Sequence, residues 1–581
     1  MTMTKHVACD VLVVGSGAGG LAAAVTAAFK GLKVVVAEKA PWVGGTTALS
    51  GGFMWVPNNP ISRADGIVDS AAEARTYLQH EAGNHFNPET VDAFLAHGPE
   101  AIDFFESKTS VKFEPASAFS DYHPTAPGGR SGGRSIKAVP MRGELLGKEL
   151  KRLRPPLPEL TFVGLMIGSG PELKHFFNVT RSLKSAAYVG GRLASHAKDL
   201  LLHRRGMFLT NGNALAARLF RSAIDLGVDL WTDAPVVELI REDGAVRGAR
   251  VRTKDGVVEV ATSRGVVLAA GGFPQDKERR RSFFPHDANG DGHYSPAPVT
   301  NTGDGLRLGE TIGAAIEDKF PNAAAWVPVS RVPRRDGSFG VFPHFIDRAK
   351  PGLVAVLPNG KRFVNEANSY HDFCQALFAA SEGGRAPKAY LVVDAPFLKR
   401  FGLGFVKPFP VPVGPNLRSG YLKAGKTIEE LAKNAGIDPT GLRQTIDAWN
   451  RDMETGEDRA FGKGSTAYNR FNGDPDFQPN PCLAPIAQGP FYAVEVVVGD
   501  LGTFAGLKTD GHARVLADDG TPIPGLYASG NDMASIMGGN YPGGGITLGP
   551  ALTFGYIAGT HLATLAAQSG SPQSTARSDA A

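Results

Sequence analysis

The sequence of 581 residues has little cysteine, little excess charge and no long apolar run. Its three cysteines, Cys9, Cys374 and Cys482, are far apart, which excludes a disulfide framework and a thiolate metal site and is typical of a reducing compartment. Because 61 basic residues nearly balance 57 acidic ones, the net charge of +4 gives no argument for a nucleic-acid partner. The 14 histidines show no paired spacing of the kind that zinc sites use, so we predict no metal.

The length of the apolar runs also indicates whether the chain could contain a membrane-spanning helix. None approaches the ~20 residues that a membrane-spanning helix needs. The first apolar strand starts too early for a signal peptide, so we expect a cytoplasmic protein without a transmembrane segment. The stretch from Leu157 to Leu202 mixes apolar residues with lysine and arginine, which fits either a buried helical insertion or a cap that touches a membrane. We favour the buried insertion.

At residues 11 to 20 an apolar strand runs into a glycine-rich turn that opens a helix of small residues. The spacing of Gly15, Gly17 and Gly20 gives a tight turn, lets backbone N–H groups approach a pyrophosphate and lets the helix pack closely on the strand. A second apolar strand ends at Glu38, roughly 20 residues later, where an acid can hold a ribose hydroxyl. The pattern predicts a dinucleotide-binding unit.

The run from Gly44 to Gly52, rich in small residues and hydroxyls, lets backbone pass close to a large planar ligand. It resembles the isoalloxazine-contacting segment of the FAD-dependent family that includes the succinate dehydrogenase and fumarate reductase flavoproteins and the 3-ketosteroid dehydrogenases. The resemblance implies FAD, and the lack of histidine in residues 40 to 60 implies that FAD is not covalently bound. The implied cofactor-binding residues are Gly15, Gly17, Ala18, Gly19, Gly20, Glu38, Lys39, Gly45, Thr46, Thr47, Ser50, Gly51, Gly52, Val237, Ala270, Gly271, Gly530, Asn531, Thr547 and Leu548.

The positions of these signals predict the domain organisation. An apolar content of 42% and a charged content of 20% are ordinary for a globular protein of two or three domains. We predict an α/β fold in which a discontinuous Rossmann-like FAD-binding domain, residues 1–285 and 488–567, carries an inserted α+β catalytic domain at 286–487. A helical insertion is expected at about 145–205, and residues 568–581 are typical of a disordered tail.

The segment from Met537 to Ala551 is the richest in candidate chemistry. A helix that starts near Ile546 would present free backbone N–H groups at its positive end, a suitable site for a substrate carbonyl that becomes an enolate. Tyr541 stands beside this turn, and its phenol can donate a hydrogen bond to the same oxygen. Together these groups predict an oxyanion hole.

The same segment resembles the corresponding stretch of the 3-ketosteroid Δ1-dehydrogenases, in which a Tyr and a Gly four positions later bind the substrate's C3 carbonyl. Tyr541 and Gly545 match that pattern. The tyrosine that abstracts the C2 proton follows an RFxNE element in that family, which points to Tyr370, and a DYHP-like stretch supplies the supporting Tyr122. The resemblance runs from about residue 8 to 565 and is weakest between 145 and 205.

The resemblance implies FAD-dependent 1,2-desaturation of a 3-ketosteroid, with proton transfer from C2 to Tyr370, hydride transfer from C1 to flavin N5, and an external electron acceptor. Three alternatives stay open. The first is the same chemistry on another cyclic ketone, as in a 5α-3-ketosteroid 4-dehydrogenase or a 4-oxocyclohexanecarboxylate-type desaturase. The second is a fumarate reductase-like enoate reductase, which is disfavoured because Tyr370, Asp500 to Thr503 and Tyr541 occupy the places of that enzyme's dicarboxylate-binding residues. The third is a flavin-binding protein without turnover.

Overall fold

The computed structural model of the chain describes residues 5–381 and 387–565, so the predicted tail at 568–581 lies outside the described residues. The strands are β1 (Lys5–Val14), β2 (Val34–Ala37), β3 (Phe53–Trp55), β4 (Phe113–Pro115), β5 (Ser135–Ala138), β6 (Met141–Arg142), β7 (Phe208–Leu209), β8 (Asp229–Trp231), β9 (Val236–Glu242), β10 (Ala245–Thr253), β11 (Gly256–Leu268), β12 (Ile316–Glu317), β13 (Ala324–Pro333), β14 (Phe339–Pro343), β15 (Leu353–Val356), β16 (Lys388–Val393), β17 (Lys423–Gly425), β18 (Phe491–Thr503), β19 (Gly506–Leu507), β20 (Arg514–Leu516) and β21 (Pro522–Ala528).

The helices are α1 (Ala18–Phe29), α2 (Pro60–Ala64), α3 (Ala71–Ala82), α4 (Pro88–Lys108), α5 (Pro171–Phe177), α6 (Leu183–His203), α7 (Asn211–Asp225), α8 (Lys277–Phe283), α9 (Asp304–Glu310), α10 (Tyr370–Ala380), α11 (Ala395–Phe401), α12 (Gly414–Arg418), α13 (Ile428–Ala435), α14 (Pro439–Met453), α15 (Ala467–Asn472) and α16 (Leu548–Thr564).

An eight-stranded sheet forms the centre of the FAD-binding half. Its order is β20-β21-β11-β1-β2-β8, and β10 and β9 extend from β11. The pairs β21–β11, β11–β1, β1–β2 and β2–β8 are parallel. Val11, Leu12 and Val13 are fully buried, as expected where helices cover both faces of a parallel sheet. The predicted Rossmann-like α/β fold is confirmed.

Helices α1 and α16 pack unusually closely because small residues line both of them. A Cβ added at Gly555 would lie 2.4 Å from the carbonyl oxygen of Gly19 and 2.7 Å from the Cβ of Ala22. A Cβ at Gly559 would lie 2.7 Å from the carbonyl oxygen of Ala23. This packing places Gly19, near the start of α1, beside Gly555 in the middle of α16.

The second domain contains a six-stranded antiparallel sheet of order β14-β13-β18-β16-β15, with β17 paired to β18. Strand β18, which ends at Thr503, belongs to the second sheet, and β12 before that sheet pairs with β19 after it. The strands of the second sheet lie between Ala324 and Thr503, with β18 at its centre. The domain boundaries at 286 and 488 stay a prediction.

The expectation of a buried insertion from Leu157 to Leu202 is wrong for its longest helix. Helix α6 buries only Ser185, Val189, His196 and Asp199, whereas Leu183 is 92% exposed and Leu201 is 85% exposed. Its apolar residues point outward rather than into a core. Within the described ranges, no helix is both long enough and apolar enough to cross a bilayer.

The close crossing of α1 and α16 predicts that Gly555→Ala destabilises the protein by about 1–3 kcal/mol, the usual cost of an overpacked contact. The added methyl group would meet backbone atoms of α1, which have little freedom to move. Thermal unfolding of the holoprotein and its FAD content after desalting measure the effect. Gly190→Ala in the middle of α6 is the matched control, because a Cβ there meets nothing within 4 Å, and it should be neutral or slightly stabilising.

Candidate active site

A cavity of about 950 Å³ lies at the carboxyl ends of β1 and β2, between the glycine turn and the start of α16. Ligands of open α/β sheets bind at this edge. The cavity is lined by most of the predicted cofactor residues: Gly15, Gly17, Ala18, Gly19, Glu38, Lys39, Gly45, Thr46, Thr47, Ser50, Ala270, Gly271, Gly530, Asn531, Thr547 and Leu548.

Four predicted residues are absent from that lining. Gly20 supports the site from behind, since a Cβ there would lie 2.1 Å from the carbonyl oxygen of Gly15. Gly52 packs against the backbone of Asn211 in the same way. Gly51 and Val237 also lie off the cavity, and Val237 is 40% exposed because Val236, its neighbour on β9, faces inward.

The cavity also contains residues that the sequence did not indicate. Thr300, Asn301 and Asp304 lie in the stretch just after the predicted boundary at residue 286, where no motif marks them. The Asn301 side chain donates to Thr46 Oγ1 over 3.0 Å, and Lys39 Nζ donates to Asp304 over 2.7 Å. These contacts join the segment before the second domain to the run after Glu38.

The residues of this cavity fit FAD. Gly15 has a φ of +103° and would place a Cβ 2.3 Å from the carbonyl oxygen of Ala269, so only glycine makes this turn without strain. At Gly17 a Cβ would meet only Thr47 Oγ1, at 3.7 Å, which leaves the backbone open towards the cavity. The Glu38 carboxylate is fixed by Ser16, which donates from its N–H over 3.0 Å and from its hydroxyl over 2.6 Å.

Beyond this cavity, three tyrosines from three distant parts of the chain meet. The hydroxyl of Tyr122 donates to that of Tyr370 over 2.8 Å. The ring of Tyr541 stacks on that of Tyr122 at a centroid distance of 5.5 Å and lies edge-on to Tyr370 at 5.0 Å. All three are at most 6% exposed. The structure thus brings together the three tyrosines that the sequence singled out.

The RFxNE element, Arg362 to Glu366, fixes the position of Tyr370. Arg362 pairs with Glu366 at 2.7 Å and with Asp458 at 2.8 Å, and the two carboxylates are fully buried. Ser369 caps the next helix by accepting from the N–H of Asp372 over 3.1 Å. Tyr370 is therefore the first residue of α10, held between a buried ion-pair network and a capped helix end.

Arg348, which no motif indicated, supports the same segment. Its guanidinium is 1% exposed and donates to the carbonyl oxygens of Glu366 over 2.7 Å and Asn368 over 3.0 Å. Tyr468 is a further missed residue, with its ring 4.6 Å from that of Tyr122. Neither residue belongs to a local pattern, so only the fold reveals them.

The turn that carries Tyr541 also has the predicted form. Gly545 has a φ of +104° and a Cβ there would lie 2.6 Å from backbone atoms of Phe53, so the turn requires glycine. Pro542 offers its carbonyl oxygen to the N–H of Tyr122 over 2.9 Å. Helix α16 begins at Leu548, two residues after the predicted start, and its N-terminal backbone faces the cavity.

Burial governs the acidity of these phenols. It raises the pKa of Tyr370 and that of Tyr122 well above the ordinary value, and it raises the pKa of Tyr541 to about 12. All three are neutral at pH 7 and can act as hydrogen-bond donors. Tyr370 could accept a proton only after losing its own, as a phenolate that a neighbouring hydrogen-bond donor stabilises.

Glu38→Gln is expected to weaken FAD binding at least about tenfold, because both carboxylate oxygens accept from backbone N–H groups, Oε2 from Ser16 and Oε1 from Ala40 at 2.8 Å. Either orientation of the amide leaves an NH₂ group facing an N–H donor. Fluorescence titration of the deflavinated protein with FAD measures the affinity. Glu242→Gln at the end of β9 is the control. Equal FAD affinities for the two variants would contradict the assignment of Glu38 to the FAD site.

The chain matches a protein-family model described as FAD binding domain over residues 10–548. It is 44% identical over 563 residues to a 4-oxocyclohex-2-ene-1-carboxylate 5-dehydrogenase of Sinomonas cyclohexanicum, covering 97% of this chain and 95% of the relative. It is 36% identical over 580 residues to a 3-oxosteroid 1-dehydrogenase of Mycobacterium tuberculosis, covering 95% of this chain and 98% of the relative.

Among solved structures, the fold is similar to that of the 3-ketosteroid delta1-dehydrogenase of Sterolibacterium denitrificans in complex with 1,4-androstadiene-3,17-dione. The TM-score is 0.88 at 35% identity, over 96% of this chain and 99% of the other. These similarities confirm the resemblance found in the sequence, and they confirm FAD as the cofactor. The chain belongs to the FAD binding domain family and, within it, is an FAD-dependent oxidoreductase acting on CH–CH groups, of the 3-oxosteroid 1-dehydrogenase type.

Proposed function

We propose that the chain catalyses the 1,2-desaturation of a 3-ketosteroid. The observation that carries the proposal is the contact of 2.8 Å between the hydroxyls of Tyr122 and Tyr370, with the ring of Tyr541 5.0 Å from that of Tyr370. This arrangement supports the proposal because it would provide a proton acceptor beside a group that can bind a ketone oxygen. Both groups are needed to remove hydrogen from a carbon next to a carbonyl.

Tyr370 takes the proton from C2 of the substrate in this proposal. A C–H bond next to a ketone is a very weak acid, so the base must be the Tyr370 phenolate, formed when the hydroxyl proton leaves to solvent. Burial raises the pKa of Tyr370, and the phenolate therefore needs support. Tyr122 gives that support by donating its hydroxyl hydrogen bond to the oxygen of Tyr370. The phenolate then takes the C2 proton and becomes a neutral phenol, while the electron pair of the C–H bond stays on the substrate as the enolate.

Tyr541 and the N–H of Gly545 bind the ketone oxygen. Their hydrogen bonds strengthen as that oxygen becomes enolate-like, and one such donor is worth roughly 3 kcal/mol in the transition state. The N-terminal end of α16 adds a positive potential at the same place. Bound FAD supplies the hydride acceptor for the C1 hydrogen, and an external electron acceptor completes the cycle.

The surroundings of the tyrosines favour an apolar substrate. Phenyl rings lie next to the three tyrosines. The ring centroid of Phe119 is 6.4 Å from that of Tyr122, and the ring centroid of Phe345 is 5.5 Å from that of Tyr370. An adjacent cavity of about 350 Å³, which shares Thr547 with the larger one, is lined by apolar residues such as Phe504 and Phe554 and by the polar residues Asn531 and Ser535. Arg348 directs Nε and Nη1 to backbone carbonyl oxygens, which leaves these donors unavailable to a substrate carboxylate.

The second candidate is desaturation of a small cyclic ketone that carries a carboxylate. The observation that favours it is the 44% identity to a 4-oxocyclohex-2-ene-1-carboxylate 5-dehydrogenase, against 36% to a 3-oxosteroid 1-dehydrogenase. The same three tyrosines would serve both reactions. The two candidates differ only in what surrounds the ring that reacts.

Tyr370→Phe should lower kcat by about 100- to 10,000-fold, the range that general acid–base groups contribute. FAD content should be unchanged, because Tyr370 does not line the FAD cavity. Steady-state assays with an artificial electron acceptor measure the effect. Tyr492→Phe on β18 in the same domain is the control, and the role of Tyr370 is refuted if both variants keep kcat within about threefold of the parent.

The substrate assignment is tested by mixing the holoenzyme anaerobically with androst-4-ene-3,17-dione and, separately, with 4-oxocyclohex-2-ene-1-carboxylate. We expect the steroid to bleach the oxidised-flavin absorbance and to yield the 1,4-diene, at a rate at least about tenfold above that of the carboxylate. Faster bleaching by the carboxylate would select the second candidate. Absence of bleaching with either compound would overturn the proposed reaction.

A further inference from the structure

The imidazole of His123 lies between two carboxylates that come from different halves of the chain. Its Nδ1 is 2.8 Å from Oε2 of Glu81 on α3, and its Nε2 is 3.0 Å from Oδ2 of Asp372 on α10. The side chain of Glu81 is 7% exposed and that of Asp372 is 23% exposed. Because an ionised carboxylate only accepts hydrogen bonds, both ring nitrogens must donate, which requires the imidazolium.

The local electrostatics agree with a charged ring. Burial alone would lower the pKa of His123, but its hydrogen bonds to Asp372 and Glu81 outweigh burial and raise that pKa to about 10. Burial would raise the pKa of Asp372, yet the hydrogen bond from His123 leaves it below the usual range. The three groups therefore form one charged unit at neutral pH.

This unit joins the two segments that carry the interacting tyrosines. His123 directly follows Tyr122, and Asp372 lies two residues after Tyr370 on α10, which packs on β13 of the second domain. The ion pair and the contact between the two phenol hydroxyls therefore link the same loop to the same helix.

The unit also reaches the turn that carries Tyr541. The N–H of His123 donates to the hydroxyl of Tyr77 over 3.2 Å, and that hydroxyl donates to the carbonyl oxygen of Pro542 over 2.7 Å. Asn540 donates from its side chain to the carbonyl oxygen of Glu81 over 2.6 Å. Three elements that bear catalytic groups thus converge on His123 and its partners.

We propose that His123 is a positioning residue, an ionic latch between the FAD-binding half and the second domain that sets the distance between the hydroxyls of Tyr122 and Tyr370. The inference rests on the proposed function, since it concerns the same base. A neutral side chain at position 123 would leave the Asp372 carboxylate without a charged partner. Helix α10 would then shift from the loop, and a displacement of about 1 Å can cost 100-fold in rate.

The proposal predicts the pH range in which the charged His123 stabilises this contact between the two parts of the chain. Because the folded pKa of His123 lies above its ordinary value of 6.5, the stabilisation is complete below about pH 6.5 and is lost as pH rises through about 10. The titratable groups that face the ring are Glu81 and Tyr77 on α3 and Asp372 and His371 on α10. Burial lowers the pKa of His371 to about 4, so that ring stays neutral across this range.

The test compares His123→Gln, Asp372→Asn and the double variant as holoenzymes. We expect each single variant to lower kcat by about 100-fold with KM within about threefold, and the double variant to be no worse than His123→Gln, which by itself removes both contacts of the imidazolium. The ratio of the parent's kcat to that of His123→Gln should decrease as pH rises through about 10. His97→Gln is the matched control, since His97 pairs with Glu100 at 2.7 Å on the surface of α4 and should leave kcat unchanged.

Hydrogen exchange of α10 supplies a readout that does not depend on turnover. The amides of this helix should exchange at least about tenfold faster in His123→Gln and Asp372→Asn than in the parent or in His97→Gln. Unchanged exchange, or losses of kcat that add in the double variant, would overturn the latch. If no ketone is turned over, the proposed reaction is refuted. The hydrogen-exchange result then still tests whether His123 positions α10. If His123→Gln does not fold, the near-isosteric Asp372→Asn decides it.

Discussion

The site depends on burying three phenols against one another. Burial raises the pKa of Tyr122, Tyr370 and Tyr541, so none of them holds a stable negative charge at neutral pH. In the proposed reaction Tyr370 must nevertheless act as a phenolate, which the hydrogen bond from Tyr122 stabilises until the C2 proton is taken and the negative charge passes to the substrate carbonyl. The donors to that carbonyl oxygen would for this reason be part of the base's chemistry and not only a means of binding the ketone.

That requirement explains why so much of the structure serves to fix distances. The Arg362, Glu366 and Asp458 network holds the segment before Tyr370, and the carbonyl oxygen of Pro542 holds Tyr122. Charged groups buried around the tyrosines are paired with each other or bonded to backbone. The site thus gains rigidity from ion pairs.

Much of this arrangement could be predicted from the sequence because its parts are local motifs. The glycine turn, the RFxNE element and the segment from Tyr541 to Gly545 each combine residues that lie close in the chain, so their spacing carries the signal. Other features depend on pairings across long stretches. Strand β18 looks like any apolar strand, and only its pairing with β13 and β16 assigns it to the second domain. The exposed face of α6 has the composition of a core helix, so its apolar residues gave the wrong expectation.

The close packing of α1 and α16 links cofactor binding to substrate chemistry. Because Gly555 sits against the carbonyl oxygen of Gly19, the positive ends of both helices face one cavity, α1 at the glycine turn and α16 at Thr547 and Leu548. One helix end is suited to the pyrophosphate and the other to the flavin ring and the substrate oxygen. A change that separates the helices would weaken both potentials together. The glycine turn and the start of α16, more than 500 residues apart in the chain, therefore face the same cavity.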